Sequence, residues 1–369
     1  MNWHGLRVAL VGPLPPPAGG MANQTRQLAE LLRGEGAEVE VVAVNAPYRP
    51  AWLGGLRGVR ALARLLPYLA ALWRAYGRAD VAHVMANSGW SWHLFAVPAV
   101  WLGVLRGVPV VVNYRGGEAA GFLAGAAPAV RFTLRRAAQL VLPSGFLLEV
   151  FGRHGMPGRV VPNIVDPQRF HPDAARRRDE QAPHLVVTRN LEAIYGIDTA
   201  LRAFAEVRRR YPRARLSVAG EGPQGAELRA LAAELGVADA TCFTGRLERE
   251  QVAALYRDAD LMVNPSNVDN MPNAVLEALA SGVPVVSTAV GGVPWMVAHE
   301  RTALLVPADD AQAMAQAVLR VLDDAALHRR LAEAGLAEAQ RYRWEAVRGQ
   351  WAAVYRAALR QYALAVGEE

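Results

Sequence analysis

Two carboxylates, Asp269 and Glu277, stand eight positions apart inside the stretch NPSNVDNMPNAVLEALASGVPVVST, residues 264–288. The stretch reads as an apolar strand (Leu261, Met262, Val263), a polar loop rich in turn formers, a helix from about Asn273 to Ala280, and a second apolar strand after Gly282. Asp269 then falls in the loop ahead of the helix and Glu277 about one turn inside it. Backbone N–H groups and the positive end of the helix point at whatever lies in front, which suits phosphates and sugar hydroxyls. A carboxylate in that place can accept two hydrogen bonds from a vicinal diol, each charge-assisted bond worth roughly 1.5–3 kcal/mol when buried. The same spacing also fits an Asp269 that caps the helix and a Glu277 that faces solvent, and the two residues alone do not separate these readings.

The run DNMPNAVLEALASGVPVV resembles the donor-binding loop and helix of retaining glycosyltransferases of family four, whose pattern is Glu, seven residues, Glu. Asp269 stands at the first position, one methylene shorter than the family's residue, and Glu277 at the second. The resemblance implies that Glu277 holds the ribose of a nucleotide sugar. It further implies that the loop Asp269, Asn270, Met271, Pro272 and Asn273 holds the transferred sugar, with Ala274 and Val275 at the helix start among the donor-binding residues.

The likeness extends over nearly the whole chain and brings further residues with it. Gly19 and Gly20 follow the first strand, Arg7 to Val11, where relatives carry Gly-Gly beside the donor diphosphate; glycine there lets a phosphate approach main-chain amides, and Asn23 or Thr25 can start the next helix. After the strand Pro109 to Asn113, relatives often show a histidine followed by glycine; here Arg115 takes that place. A guanidinium cannot act as a base, so the expected contribution of Arg115 is charge stabilisation of a phosphate. His83 reads as a satisfied structural histidine. Relatives usually show Gly-Arg-Leu and then Lys-Gly at the first turn of the second half. Anchoring on Leu191 and Gly196 puts Asn190 where the arginine belongs and Tyr195 where the lysine belongs, so both cations are missing. Arg189, one position earlier, and Arg115 are the residues expected to replace them. Gly220, in GEGPQ, matches the family's Gly-x-Gly-Pro turn at the donor site, and Arg246 and Leu247 match the residues whose backbone meets the base. Asp258 and Asp260 form an Asp-x-Asp, but the pair closes a helix and opens a buried strand, so no metal site is expected, and no cofactor beyond the nucleotide sugar as co-substrate.

Composition sets the wider bounds. With 369 residues and 52% hydrophobic content the chain is long enough for two cores. Leu94 to Leu105 is interrupted by Pro98 and Gly103 and is too short to cross a bilayer; Leu6 to Leu14 is too short for a signal peptide. The single cysteine, Cys242, excludes an intrachain disulfide framework and fits a reducing compartment. A cytoplasmic protein is therefore expected. The chain has no lysine, so all 40 basic residues are arginine. They are unevenly spread: residues 1–173 hold 17 Arg against 9 acidic residues, net +8, and residues 174–369 hold 23 against 25, net −2. The first half should meet something anionic. Residues 52–78, with Arg57, Arg60, Arg64, Arg74 and Arg78 at helical spacing among leucines and tryptophans and with Pro67 expected to break or kink the helix, can lie on an anionic membrane at its inner face; an ordinary solvated helix face fits them as well. Nucleic acid is not expected, because these arginines sit among aliphatic neighbours and not in a recognisable binding motif.

Short apolar strands alternate with helices along both halves, which implies an α/β protein with parallel sheets and ligands at the strand C-terminal ends. A helix beginning at Arg131 to Leu134 is expected to lead into the strand Leu140 to Pro143. The polar segment between Phe170 and Pro183 reads as a linker. The expected organisation is a Rossmann-like domain over 1–173, a nucleotide-sugar domain over 174–343, and a C-terminal helix, 344–369, crossing back to the first domain. The resemblance implies that the two doubly wound domains face a cleft, the GT-B arrangement. The function it implies is retaining transfer of a hexose-type sugar from a nucleotide diphosphate donor to a saccharide or lipid-linked acceptor, in cell-surface polysaccharide or glycolipid synthesis. Two other classes stay open at this point: a nucleotide-sugar epimerase of related architecture, and a non-catalytic, membrane-associated binding protein.

Overall fold

The computed structural model describes residues 3–16, 19–47 and 59–367, the side chains of 59–63 and 365–367 excepted. The chain divides into two compact units, one of Met1–Asn163 with Val347–Glu369, the other of Ile164–Ala346. The junction precedes the polar segment 171–183, which belongs to the second unit.

In the first unit the strands are β1 (Arg7–Gly12), β2 (Glu38–Ala43), β3 (Val81–Ala86), β4 (Val110–Tyr114), β5 (Gln139–Leu142) and β6 (Arg159–Val160). They form one sheet in the order β2-β1-β3-β4-β5-β6, every pair parallel. Their near-continuous Val, Ala and Leu runs are what a sheet needs when helices cover both faces. The order reverses direction between β1 and β3, so the crevice of this unit lies beyond Gly12 and Ala86. The C-terminal helix, Trp344–Gly367, packs into the unit through Trp351 and Tyr355, both fully buried. Trp351 lies 4.8 Å from the ring of His83 on β3, and Tyr355 meets the same ring edge-on.

The second unit carries β7 (His184–Val187), β8 (Arg215–Ala219), β9 (Thr241–Gly245), β10 (Leu261–Asn264), β11 (Val285–Thr288) and β12 (Leu304–Val306). Their order is β12-β11-β10-β7-β8-β9, again all parallel. Read from the far edge this is the 3-2-1-4-5-6 order of dinucleotide-binding folds, with the switch point between β7 and β10. The loops after these two strands, 188–196 and 265–272, contain Arg189 and Asp269. The chain is thus an α/β protein of two Rossmann-like doubly wound sheets.

Three local expectations are corrected. The helix of the basic segment, Val59–Tyr76, is not broken at Pro67, because that residue lies on the exposed side where water can satisfy the freed carbonyl; residues 48–58, and with them Trp52 and Arg57, lie outside the described residues. The residues Arg131 to Leu134 end a helix, Ala119–Leu134, and do not begin one. Gly121, Gly125 and Pro128 gave the first part of that helix a loop-like composition, while burial of Ala119, Leu123 and Val130 against the sheet outweighs their poor propensity. The first helix starts at Gly20 with Gly19 as its N-cap residue, ahead of Asn23 and Thr25. Thr25 instead turns back to the carbonyl of Met21, at 2.9 Å.

Truncating Trp351 leaves a large cavity beneath β3. Trp351→Ala is expected to cost about 3–5 kcal/mol of stability, measured by chemical denaturation; a loss under about 1 kcal/mol would show that the C-terminal helix contributes little to the first unit.

Candidate functional site

The second unit assembles its candidate site at the switch point. Below the loop 265–272 lies a buried polar network. Asn264 Nδ2 donates to Ser287 Oγ at 2.9 Å, Ser266 Oγ to Asn264 Oδ1 at 3.0 Å, and Thr288 Oγ1 to the carbonyl of Ser266 at 2.5 Å. These bonds pin the loop to the ends of β10 and β11. Further along, the Asp269 carbonyl accepts from Gly292 N at 3.0 Å, and its Oδ1 from Asn270 N at 3.0 Å. Asn270, Met271 and Pro272 are buried and Asn273 half-buried, leading into the helix Asn273–Ala280 where sequence periodicity placed it. Tyr256, fully buried, donates to the Ala274 carbonyl at 2.9 Å and meets Thr188 Oγ1 at 2.5 Å, joining the helix start to the end of β7.

Across the switch point the loop 188–196 is held by close backbone approach. A Cβ on Gly220 would strike the Arg189 carbonyl, and one on Gly196, which is left-handed at φ 57°, would strike the Pro265 carbonyl. Leu191 N donates to the Glu221 carbonyl at 3.0 Å. So held, Arg189 turns inward: its guanidinium stacks 4.2 Å from the ring centre of Tyr195 and pairs with the Asp269 carboxylate, both side chains only 11% exposed. Its buried Nε has no hydrogen-bond partner among the described residues. Tyr195, read from sequence only as a lost lysine, is a platform that fixes the arginine. Asn190 instead points outward and donates to Glu192 at 3.1 Å.

Glu277 lies on the inner side of the helix, half-buried. Enclosure of its carboxyl pushes it up to about 7, against the opposing pull of Arg249, Arg169 and Arg189. Asp269 is likewise raised by burial, with Arg189 acting the other way. Glu277 is thus not a fully exposed carboxylate on the outer face of the helix. Arg249, in the first turn of the helix Arg249–Asp258, and Arg169 were missed by sequence reasoning. The only signal for them was the absence of lysine, which obliges arginine to supply every strong cation. Arg246 is exposed, 3.5 Å from Glu221, and Leu247, beside it after β9, and Gly220, after β8, are half-buried. Asp260, from the Asp-x-Asp, is buried and occupied: Arg176 lies 2.8 Å away and His184 N donates to it at 2.7 Å.

The first unit carries the remaining candidates. Arg115 follows β4 and donates through Nη1 to Asn163, while its backbone N donates to the Ala86 carbonyl at 2.8 Å. Its Nε is buried without a hydrogen-bond partner among the described residues, and burial pulls the guanidinium down to about 10, still cationic at neutral pH. Asn113 Nδ2 donates to His83 Nε2 at 3.1 Å, which leaves the ring proton on Nδ1 for Tyr355 Oη at 2.7 Å. Burial, then the Arg115 charge, push His83 down to about 3, so it is a neutral framework residue. Gly19 and Gly20 are exposed at the start of the first helix, and a Cβ on Gly19 would meet nothing.

Two matches now bear on this geometry. Residues 18–169 match the family described as Glycosyltransferase Family 4, and residues 171–337 that described as Glycosyl transferases group 1. The chain belongs to these family-four, group 1 glycosyltransferases. It is similar to the glycogen synthase of Mycobacterium tuberculosis, 29% identical over 396 aligned residues that cover 96% of this chain and 95% of that protein. Among solved structures it is similar to a sucrose-phosphate synthase from Thermosynechococcus elongatus (TM-score 0.76, 24% identity, 95% of this chain and 98% of that one). It is also similar to Anabaena HepE in complex with UDP and glucose (TM-score 0.73, 16% identity, 95% and 99%). At these identities the two structures speak for the fold alone, the Rossmann-like GT-B type. The glycosyltransferase is a nucleotide-sugar-dependent enzyme, and among its described residues no helix is long and apolar enough to cross a membrane.

The Glu277 shift carries a stability consequence. An acid held protonated in the folded state but ionised in the unfolded chain makes stability fall as pH rises from about 4.5 through 7. Glu277→Gln removes that penalty. It is expected to raise stability by on the order of 1–3 kcal/mol at pH 8 and to leave it unchanged near pH 4, measured by denaturation at the two pH values.

Proposed function

We propose that this glycosyltransferase is a retaining enzyme that moves a hexose-type sugar from a nucleoside diphosphate to a saccharide or lipid-linked acceptor in cell-surface polysaccharide or glycolipid synthesis. The observation that carries the proposal is the half-buried Glu277 carboxyl on the helix that follows the switch-point loop, raised by burial against the opposing charges of Arg249, Arg169 and Arg189. A vicinal diol supplies two donors to such a carboxylate, and donor binding favours its ionised form. The main-chain amides of 270–274 and the helix start face the diphosphate and sugar. Arg189, braced on Tyr195, pairs with Asp269 at the start of that turn. When a donor phosphate competes for it, Asp269 is released toward the sugar hydroxyls. In the first unit, Arg115 is assigned charge stabilisation of a phosphate; a group that stays protonated takes no proton.

In the transfer itself the bond from the anomeric carbon to the leaving phosphate oxygen breaks, and a bond from the acceptor oxygen to that carbon forms on the same face. The acceptor proton passes to the leaving phosphate, so no protein base is needed and the chain's work is positioning and charge stabilisation. A cytoplasmic location, peripheral to an anionic membrane surface through residues 52–78, belongs to the same proposal. Its support is the net +8 of residues 1–173 and the exposure of Leu66 and Trp73 on the helix Val59–Tyr76.

Glu277→Ala is expected to lower donor affinity and turnover at least tenfold; transfer kinetics equal to the native chain's would remove the assignment. NMR of the product should show the donor's anomeric configuration preserved, and an inverted product would end the retaining assignment. Donor incubated without acceptor should yield no new sugar epimer; its appearance would support the epimerase reading.

A further inference from the structure

We infer that the first unit holds a second ligand site, a pocket for a phosphate group carried on a short apolar stem, at the end of its sheet opposite Arg115. A recess of about 360 Å³ opens between the last turn of the helix Ala119–Leu134 and the turn 155–158 that enters β6. Leu134, Leu140 and Met156, all buried, contribute its apolar floor. Arg131, Arg135 and Arg159, all exposed, stand at its mouth. A recess of this size suits a small ligand.

The charges around it are uncompensated. No carboxylate lines the recess, and none of the three guanidiniums has a hydrogen-bond or ion-pair partner among the described residues. Some other exposed arginines of the chain do find acids, as Arg7 does Asp80 and Arg213 does Asp179. Three like charges round one mouth repel one another, and an anion between them converts that repulsion into attraction. Guanidinium forks match the oxygens of phosphate, while the floor offers a dry surface to a few methylenes. Gly158 is what lets the rim close: a Cβ there would lie 3.1 Å from the Leu140 carbonyl oxygen and from Leu142 Cδ1, so the turn rests on β5 and brings Arg159 to the recess.

The recess is separate from the proposed transfer residues. Ala138 N, at the recess, donates to the carbonyl of Val110, the first residue of β4, whereas Arg115 follows the last. The length of β4 therefore puts roughly 15 Å between them. Two sources share the ligand chemistry, the headgroup of an anionic lipid and a soluble phosphorylated metabolite.

Hexyl phosphate titrated into the full chain by calorimetry is expected to bind, and to bind the double variant Arg135→Ala/Arg159→Ala at least tenfold more weakly. That variant alters only exposed side chains and should keep native transfer activity. Sedimentation with phosphatidylcholine vesicles containing phosphatidic acid, but not with phosphatidylcholine alone, lost in the double variant, assigns the ligand to lipid. Hexyl phosphate binding without such sedimentation assigns it to a soluble metabolite. No binding of hexyl phosphate by the native chain, or equal binding by the double variant, overturns the site.

Discussion

Placing a carboxylate and several guanidiniums at the end of a parallel sheet, away from bulk water, is the constraint on which the second unit depends. Burial raises Glu277 to about 7 although three arginines act to lower it. Removal from water disfavours the ionised carboxyl, and only a ligand with matching donors restores what solvent supplied. The structure therefore holds a group that is uncomfortable by itself. The surrounding scaffold is correspondingly stiff, with Asn264, Ser266, Ser287 and Thr288 bonded to one another beneath the loop and Tyr256 joining helix to strand.

Arg189, Tyr195 and Asp269 show how a chain without lysine holds a buried cation at the switch point. A lysine placed on a short helical turn reaches forward as a point charge. An arginine six residues earlier, stacked flat on an aromatic ring, presents a planar fork with little freedom to lose. The carboxylate partner holds the fork in place and keeps the charge balanced within the unit. The backbone contacts of Gly220 and Gly196 are part of the same device, since larger residues would push the arginine's loop away from β8 or β10.

The two units divide their polar work differently. In the first, His83, Asn113 and Tyr355 form a closed hydrogen-bonded set whose histidine is forced neutral, while Arg115 nearby keeps a buried N–H without a partner among the described residues. At the other end of that sheet, Arg131, Arg135 and Arg159 stand around an apolar recess. Four of the 17 arginines of residues 1–173 thus stand in features with distinct surroundings, one enclosed and one open.

Much of this was legible in the sequence. Apolar strands alternating with amphipathic helices determined two parallel α/β sheets, because a strand covered on both faces must be apolar throughout and the side-chain period shows in neighbouring residues. The helix Asn273–Ala280 and Glu277 in its second turn were readable for the same local reason. Pro67 and Pro128 inside helices were not, since exposure and packing decided them against local propensity. Nor was the pairing of Arg189 with Asp269, 80 positions apart, or the company of Arg249 and Arg169 around Glu277. Which charge meets which, and how much water reaches either, depends on chain segments that only the tertiary fold brings together; the sequence determined which groups were available, and the packing decided what each of them faces.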